Sequence, residues 1–297
     1  MNNSPTVSIF CMVYNHEPFL KECLDGFLMQ KCNFDFQIII GEDCSTDKSR
    51  EIILDYAYRN PSKFKLLLHD KNIGASENQR LVFENCTGKY IAMCEGDDYW
   101  TDPLKLQKQV DFLEKNEDFS MCFHCANIKI EIEDYEFKLG FIENRQYSIN
   151  EVIKGRLFQT STVMFRNILN MNTLKNKLIA NGDQILFLEC SEKGKVMGMV
   201  DVMSVYRIHS NGVSISRIRT NEILAKKKNY KQLIYIQSQF KSISKDIMND
   251  LFVDNSMTLF VLYFKKRSIL CFYYLFRAIY FKPKLIFKAF NYFIKKK

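Results

Sequence analysis

Four apolar segments separated by single helical patterns constrain the fold of this chain more than any other feature. The segments are Val7–Tyr14, Phe36–Ile40, Phe64–His69 and Tyr90–Cys94. Between them, the apolar side chains of 19–28 and of 52–57 each fall on one helical face, and residues 81–83 belong to a third helix. Ser45 or Thr46 is expected to cap the second helix. Nearly continuous apolar strands that alternate with helices are typical of a parallel sheet covered on both faces. The pattern therefore predicts an α/β fold with a Rossmann-like, mostly parallel sheet.

Acidic turns directly follow two of these segments. Glu42 and Asp43 follow the second, and Glu95, Asp97 and Asp98 follow the fourth. Ligands of such sheets bind beyond the carboxyl ends of the strands, so both turns should lie at the ligand edge. A hard divalent cation binds one or two carboxylates and completes its shell with phosphate oxygens and water, so a metal–diphosphate ligand fits this edge. The alternative interpretation is that the acids are solvated loop residues or cap the next helix.

Several classes of phosphate-binding protein are excluded by missing motifs. The chain has no G-x-x-x-x-G-K-[ST] loop, no G-x-G-x-x-G after its first strand and no twelve-residue calcium loop. Phosphate binding is therefore expected from a metal and from side chains, not from a glycine-rich turn.

The pattern becomes less regular after residue 119. Strands are predicted at 120–131, 160–165 and 196–208, and residues 132–160 are polar and irregular. The turn Asn181-Gly182-Asp183 opens an apolar helix over 184–190. We predict one domain over 1–219, divided near 118 into two halves, and a helical extension over 220–297.

The cysteine content and the amino terminus predict a cytosolic location. A basic segment followed by an apolar stretch is absent at the start, so no signal peptide is expected. The ten cysteines should therefore remain reduced thiols. The run Cys122-Phe-His124-Cys125 has no second ligand pair, and buried packing thiols are the favoured interpretation over a metal site.

The C-terminal extension is basic and aromatic. Residues 220–297 hold 16 Lys/Arg and 4 Asp/Glu, and residues 252–293 hold 14 Phe or Tyr. Such segments suit amphipathic helices on an anionic membrane surface. The alternatives are a tail packed on the catalytic domain or on a second copy of the chain, as in a homodimer, and a re-entrant or spanning element. No nucleic-acid motif is present, so nucleic acid is not an expected partner.

Five elements in register resemble family-2 glycosyltransferases of the GT-A fold. The resemblance extends over about residues 5–215 and is carried by the segments 7–15, 41–47, 72–74, 88–91 and 95–100. It is closest to the bacterial branch that builds capsule, lipopolysaccharide or other surface glycans. It implies a GT-A catalytic domain over 1–219 that transfers a sugar from a nucleotide-sugar donor to a glycan or lipid-linked acceptor. It also implies that the half up to about 118 binds the nucleotide sugar and that the half over 119–219 binds the acceptor.

The resemblance assigns the donor site. Tyr14 and Asn15 stand where the family places an aromatic residue against the uracil, and Asp43 matches the acid that hydrogen-bonds the base. Asn72 belongs to the motif after the third strand, and Asn78 is the one residue carried over from the altered A-R-N element. From the residues alone, Tyr14 is a strand-end aromatic that shields the core, and Asp43 forms an Asx-turn with Ser45.

The resemblance also assigns the metal site. Glu95-Gly96-Asp97 matches the family's D-x-D motif, with Asp97 as the expected ligand of Mn²⁺ or Mg²⁺ and Glu95 reaching the ribose or a metal-bound water. Asp98 is a rival ligand. His209 lies in a segment similar to a family loop whose histidine completes the metal or diphosphate site. An exposed loop histidine is the alternative.

Asp183 resembles the family's catalytic base. Taken alone, it is better interpreted as a helix N-cap. With Asp183 as base and a single displacement, the resemblance implies an inverting enzyme, a hexosyl- or N-acetylhexosaminyltransferase at the inner face of a bacterial membrane. The alternatives are a sugar-nucleotide nucleotidyltransferase and an inactive membrane-bound homologue.

Overall fold

The computed structural model of the protein describes residues 5–131, 133, 135–141, 143–155, 157–169, 176, 179–210, 212 and 222–283. The chain forms two compact units. The first unit comprises Met1–Lys175 and Leu186–Ser210, and the second comprises Asn176–Ile185 and Asn211–Lys297. The domain boundaries expected near 118 and 219 stay predictions.

The amino-terminal half of the first unit is the predicted alternation of strands and helices. Its strands are β1 (Val7–Val13), β2 (Phe36–Glu42), β3 (Phe64–Leu68) and β4 (Tyr90–Met93). Its helices are α1 (Leu20–Leu28), α2 (Ser49–Arg59) and α3 (Ala75–Glu84). The four strands are parallel in the order β3-β2-β1-β4, which brings the ends of β1, β2 and β4 to one edge. The predicted α/β fold is confirmed.

The remaining strands extend the same sheet and make it mixed. They are β5 (Tyr99–Trp100), β6 (Phe119–Ile130), β7 (Tyr135–Leu139), β8 (Arg145–Tyr147), β9 (Met164–Arg166) and β10 (Lys195–Ile208). The helices here are α4 (Lys105–Lys115), α5 (Ile149–Val152) and α6 (Gly182–Lys193). The order is β3-β2-β1-β4-β9-β6-β10-β5, with β7 beside β6 and β8 beside β10. β9 runs antiparallel to β4 and β6, while β6 and β10 are parallel.

Three local predictions are wrong. The segment 132–160, expected to be irregular, contains β7, β8 and α5, because its short strands pair with β6 and β10. The strand expected at 160–165 is a 3₁₀ turn over Thr160–Thr162 followed by β9. Neither Ser45 nor Thr46 caps α2; Asp47 instead accepts a 2.9 Å hydrogen bond from the Ser49 amide.

A lysine side chain is enclosed in the first unit. Lys105, at the start of α4, is fully buried, and its Nζ donates a 2.7 Å hydrogen bond to Gln109 and lies 4.1 Å from the centre of the Trp100 ring. Burial lowers the pKa of Lys105 to about 7, because the ammonium group loses its hydration. A cluster of apolar side chains surrounds this region, including Leu106, Val110 and Cys122.

The second unit is helical where the structure describes it. Its main helices are α7 (Glu222–Gln239), α8 (Lys245–Lys265) and α9 (Leu270–Phe281). A small core of Leu259, Tyr263, Cys271 and Tyr274 joins α8 to α9. Among the described residues, none of the helices combines the length and the hydrophobicity needed to cross a bilayer. The basic residues Lys295–Lys297 lie outside the described residues.

Candidate active site

The loops after β1 and β2 are joined by side chains that bond to backbone amides. Asn15 has a left-handed backbone (φ 57°), its amide donates to Ser45 Oγ at 3.0 Å, and its Oδ1 accepts from the Thr46 amide at 2.8 Å. The His16 amide donates to Ser49 Oγ at 2.9 Å. Tyr14 precedes these contacts and is 44% exposed at the end of β1. The aromatic ring is therefore open to a ligand, and its contact with a base stays a prediction.

Asp43 joins the loop after β2 to the loop after β3. Its Oδ1 accepts a 2.7 Å hydrogen bond from the Ile73 amide, and its Oδ2 accepts a 3.0 Å bond from the Gly74 amide. Asn72 Nδ2 donates to the Asp43 carbonyl at 3.2 Å. Gly74 has φ 86°, a backbone conformation that glycine adopts without strain. The structure thus brings Asp43 and Asn72 together at the predicted edge.

Asn78 is held inside the first unit. Its side chain is almost fully buried, Nδ2 donates to the Gly41 carbonyl at 2.9 Å, and Oδ1 lies 3.1 Å from His69 Nε2. These contacts fix the end of β2 against α3. The role of Asn78 in donor binding stays a prediction, and its described contacts serve packing.

The acidic turn after β4 requires a glycine at its second position. The Gly96 amide donates to the Met12 carbonyl at 3.0 Å, which holds the turn against the end of β1. A Cβ atom at Gly96 would lie 2.8 Å from His16 Nδ1 and 2.9 Å from Val13 Cγ2, closer than packed atoms approach. Glu95, before Gly96, is partly exposed, and its assignment to the ribose stays a prediction.

The Asp97 carboxylate lies between two imidazole rings. Its Oδ2 is 3.1 Å from His209 Nε2 and 3.7 Å from His16 Nε2. Burial alone would raise the pKa of Asp97, but attraction to His16 and the hydrogen bond with His209 outweigh burial and lower it. Burial lowers the pKa of His16, against the attraction of Asp97. Asp97 is therefore ionised at neutral pH.

Asp98 has a different environment from its neighbour. It is fully buried, and its Oδ1 accepts a 2.9 Å hydrogen bond from the Arg207 amide. Its Oδ2 is buried without a hydrogen-bond partner among the described residues. Burial raises the pKa of Asp98 well above its usual value, and repulsion by Asp97 adds to the shift. Asp97 is thus the more accessible of the two candidate metal ligands.

The donor atoms at Asp97 suit a borderline divalent cation. The carboxylate suits Mn²⁺ and Mg²⁺ alike, and the imidazole adds a ligand that first-row transition metals accept more readily than Mg²⁺ does. No group of three or more His, Cys, Asp or Glu side chains is arranged as a metal centre among the described residues. Asp97 and His209 would therefore supply part of a coordination shell, with phosphate or water oxygens completing it.

Arg207 connects β10 to the acidic turn, a role that the sequence analysis did not predict. Its guanidinium donates to the Asp97 carbonyl at 2.7 Å, pairs with Glu22 and lies 3.0 Å from Glu131. It also lies 4.2 Å from the centre of the Tyr99 ring. The side chain is nearly fully buried, so Arg207 fixes the turn that presents Asp97.

His16 is a second residue that the sequence did not single out. The available signal was its rarity, since the chain has only four histidines, combined with its place immediately after the Tyr14-Asn15 pair. The predicted His209 is 5% exposed, so the alternative of an exposed loop histidine is wrong. Its ring packs against Phe19, with 4.4 Å between ring centres.

Asp183 lies at the start of α6, in the part of that helix that belongs to the second unit. Its Oδ1 accepts a 2.8 Å hydrogen bond from the Gln184 amide. It occupies the second position of the helix and not the N-cap position. Its role as catalytic base stays a prediction.

Cys122 and Cys125, the other metal candidates considered from the sequence, are buried in β6. The ring of His124 between them is directed to the backbone, with Nδ1 2.8 Å from the Cys125 carbonyl. Burial raises the pKa of Cys122 to about 12, so its thiol is protonated at neutral pH.

The fold is that of α/β proteins whose ligands bind at the carboxyl edge of a mostly parallel sheet. More specifically, the chain belongs to glycosyl transferase family 2, whose family model matches residues 8–170, more than half of its length. This confirms the family predicted from the motifs. The matched region includes every predicted donor-site residue from Tyr14 to Asp98 and ends before Asp183 and His209.

Two relatives illustrate the breadth of the similarity. An uncharacterized protein of Mycobacterium tuberculosis strain H37Rv is 35% identical over 209 residues, which are 70% of this chain and 60% of the relative. The chain thus spans about 60% of the length of that relative. TuaG of Bacillus subtilis, provisionally named a teichuronic acid biosynthesis glycosyltransferase, is 24% identical over 73% of this chain and 84% of its own.

Solved structures share the fold. TarS 1-349 of S. aureus, in complex with UDP-GlcNAc, aligns with a TM-score of 0.58 at 15% identity, over 93% of this chain and 89% of that one. The mannosyltransferase PcManGT of Pyrobaculum calidifontis, in complex with GDP-Man and Mn²⁺, aligns with a TM-score of 0.55 at 13% identity, over 97% and 84%. Identities this low support a common fold alone.

Proposed function

We propose that this protein is an inverting glycosyltransferase that moves a sugar from a nucleoside diphosphate donor, a UDP-sugar, to a hydroxyl group of a glycan or lipid-linked acceptor. One observation carries the proposal: the Asp97 carboxylate is held between His16 and His209 at the edge where three strands end. Family membership supports the activity. TuaG, named for teichuronic acid biosynthesis, supports a role in bacterial surface polysaccharides.

In this proposal Asp97 and His209 hold Mn²⁺ or Mg²⁺. The bound cation would stabilise the negative charge of the departing diphosphate. The chain's own residues prepare the site: Arg207 fixes the acidic turn through the Asp97 carbonyl, and Asp43 fixes the loop after β3 through the Ile73 and Gly74 amides. Tyr14 is open to stack against the base.

The proposed base is Asp183. A carboxylate that accepts the proton of an attacking hydroxyl contributes on the order of 10²–10⁴ in rate. A single displacement with one base inverts the configuration of the transferred sugar. The catalytic part would end near residue 219, and residues 220–297 would form the extension.

The test of donor binding uses Asp97→Asn. We expect the wild type to bind UDP in the presence of Mn²⁺ and to lose binding with EDTA, and we expect Asp97→Asn to bind at least about tenfold more weakly, a loss of about 1.4 kcal/mol. Calorimetric titration measures both. Asp118→Asn is the matched control, because Asp118 is exposed and pairs only with Lys195 among its described contacts. Unchanged UDP affinity in Asp97→Asn would remove Asp97 from the metal site.

Activity is tested with a panel of UDP-, GDP- and dTDP-sugars, by following release of the nucleoside diphosphate with and without Mn²⁺. Hydrolysis of one donor that requires the metal supports a transferase and identifies the sugar. An absence of turnover with every donor, combined with normal UDP binding, would favour an inactive homologue.

We also propose that α8 and α9 attach the enzyme to an anionic membrane surface. Large exposed apolar side chains recur at helical spacing from the residue before α9 along the helix: Ile269 (82%), then Phe272 (53%), Phe276 (67%) and Tyr280 (80%) on α9 itself. Lys265, Lys266 and Arg267 immediately precede them and are exposed as well. Aromatic side chains beside basic ones bind the headgroup region of anionic lipids.

Flotation with vesicles of phosphatidylcholine and phosphatidylglycerol tests membrane binding. We expect the wild type to float with anionic vesicles and the triple variant Ile269→Ser, Phe272→Ser, Phe276→Ser to remain in solution. Leu54→Ser with Tyr58→Ser is the control, because these exposed apolar side chains lie on α2 in the first unit. Equal flotation of the triple variant and the wild type would contradict the proposal.

A further inference from the structure

The second unit contains a polar cavity of about 240 Å³. It is lined from the start of α6, from α7 and from α8, all within residues of that unit. Five of the side chains that line it are amides: Asn181, Gln184, Asn229, Gln232 and Asn255. Amides offer both donors and acceptors in fixed planes, and such a set is suited to hydroxyl groups, which also donate and accept.

One of these amides is unsatisfied. Asn255 is 8% exposed, and its Oδ1 is buried without a hydrogen-bond partner among the described residues. Buried polar atoms are nearly always hydrogen-bonded, and Asn255 also lines the cavity, so a rotation of its amide toward a ligand or water there would give the oxygen a partner. A ligand hydroxyl that donates to Asn255 Oδ1 would complete this site.

The charges at the cavity indicate a neutral ligand. Lys226 and Asp254 both line it, and their formal charges cancel. Leu233 and Leu251 add apolar surface. A phosphate would find one cation opposed by one carboxylate, whereas a sugar ring has hydroxyl groups for the amides and C–H surface for the leucines. The volume is below the range of about 300–1,000 Å³ that drug-sized ligands occupy, which fits a single ring.

We propose that this cavity binds one neutral monosaccharide unit. Gln232 holds the start of α6 at the cavity: its Oε1 accepts from the Ala180 and Asn181 amides at 2.6 and 2.7 Å, and its Nε2 donates to Gln184 Oε1 at 2.7 Å. Asn181 and Gln184 flank Asp183 in the sequence. If the proposed function is correct, on which this step rests, the bound sugar belongs to the acceptor and presents a hydroxyl to Asp183.

Sugar binding is tested without donor or metal. The full chain is mixed with D-glucose, D-galactose, D-mannose, N-acetylglucosamine or N-acetylgalactosamine, and saturation transfer from protein to sugar is measured by NMR. We expect at least one sugar to bind with a millimolar dissociation constant. Asn229→Ala and Asp254→Ala should each weaken that binding at least tenfold, because both side chains line the cavity without being fully buried.

Two controls on α8 match these variants. Asn249→Ala and Asp250→Ala remove the same chemical groups from side chains that do not line the cavity, and they should leave sugar binding unchanged. Melting temperatures establish that all four variants fold. The proposal is overturned if no sugar gives saturation transfer, if inorganic phosphate displaces the sugar, or if the controls lose binding as much as the cavity variants.

The readout separates this proposal from the proposed function. Sugar binding that disappears in Asn229→Ala, in a protein that hydrolyses no nucleotide sugar, would support the cavity and contradict the transferase. Metal-dependent hydrolysis of a nucleotide sugar by a protein that binds no free sugar would support the transferase and contradict the sugar-binding cavity.

Discussion

The two units of this protein carry their polar side chains in opposite ways. In the first unit, several polar residues of the candidate site lie in loops at the ends of strands, where Asn15, Asp43 and Asp97 bond to backbone amides or to imidazoles. In the second unit, amides such as Gln232 and Asn255 are buried between helices, while large apolar side chains such as Phe276 are exposed. Loop residues at strand ends leave a recognisable sequence motif, whereas residues on helix faces do not.

The largest expected effect is on catalysis and lies in the second unit. Asp183→Asn should lower transfer by on the order of 10²–10⁴-fold, because an amide cannot accept the proton of the attacking hydroxyl. UDP affinity should stay unchanged, since the donor site is proposed in the first unit. Steady-state rates and calorimetric titration of UDP measure the two quantities. A variant that keeps more than about a tenth of wild-type turnover would exclude Asp183 as the base.

The next largest effect is expected on the stability of the first unit, through Arg207. Arg207→Gln should lower the free energy of unfolding by about 3 kcal/mol, because the Asp97 carbonyl, Glu22 and Glu131 lose a buried cationic partner. Denaturant unfolding measures the change. Arg59→Gln is the control: Arg59 pairs with Asp55 on the surface, and its loss should cost less than about 1 kcal/mol. Equal losses in the two variants would show that the Arg207 contacts add no stability.

A smaller effect is expected on the pH dependence of the free energy of unfolding, through Lys105. The pKa of Lys105 is about 7 in the folded protein, against 10.5 as its ordinary value. Between these values the unfolded chain binds a proton that the folded chain does not, so stability rises with pH. From pH 6.5 to 8.5 the wild type should gain about 2 kcal/mol relative to Lys105→Met, which lacks the titrating group. Urea unfolding at both pH values measures it, and parallel pH profiles would contradict a lowered pKa.

The smallest effect is expected on α9. Phe276→Ser should change the free energy of unfolding by no more than about 0.5 kcal/mol, because the side chain is 67% exposed and buries little surface. Thermal or urea unfolding provides the measurement. A loss of several kcal/mol would mean that Phe276 packs against protein, and the membrane proposal for α9 would then lose its basis.

The parts of the fold that local patterns specify were predictable. β1 to β4 and the helices between them follow from periodicity, because β1, β2 and β4 are buried nearly throughout and each helix buries one face. β5, β7 and β8 were not predicted, since they contain only two to five residues. β5 and β8 pair with β10, which is distant in sequence, and β7 pairs with the preceding strand β6. Each of these strands is too short to show the alternation of apolar and polar residues that identifies a strand in sequence.

The residues of the candidate site also divide into those that a sequence motif predicted and those that only the structure revealed. Asp97 and His209 were identified by motif, and the structure brings them within 3.1 Å of each other. His16 and Arg207 were not identified, because a buried charged or titratable side chain is recognised by the partners around it and those partners lie far away in sequence. The choice between Asp97 and Asp98 also needed burial, which sequence does not reveal.

The carboxylate of Asp43 has a thermodynamic consequence for any nucleotide that binds beside it. Because both of its oxygens already hold the Ile73 and Gly74 amides, the chain after β3 is shaped before a ligand arrives. Preorganisation of this kind spares the complex the entropy loss of ordering a loop. Association at this edge would then be governed by the rate of encounter and not by a slow rearrangement of the polypeptide.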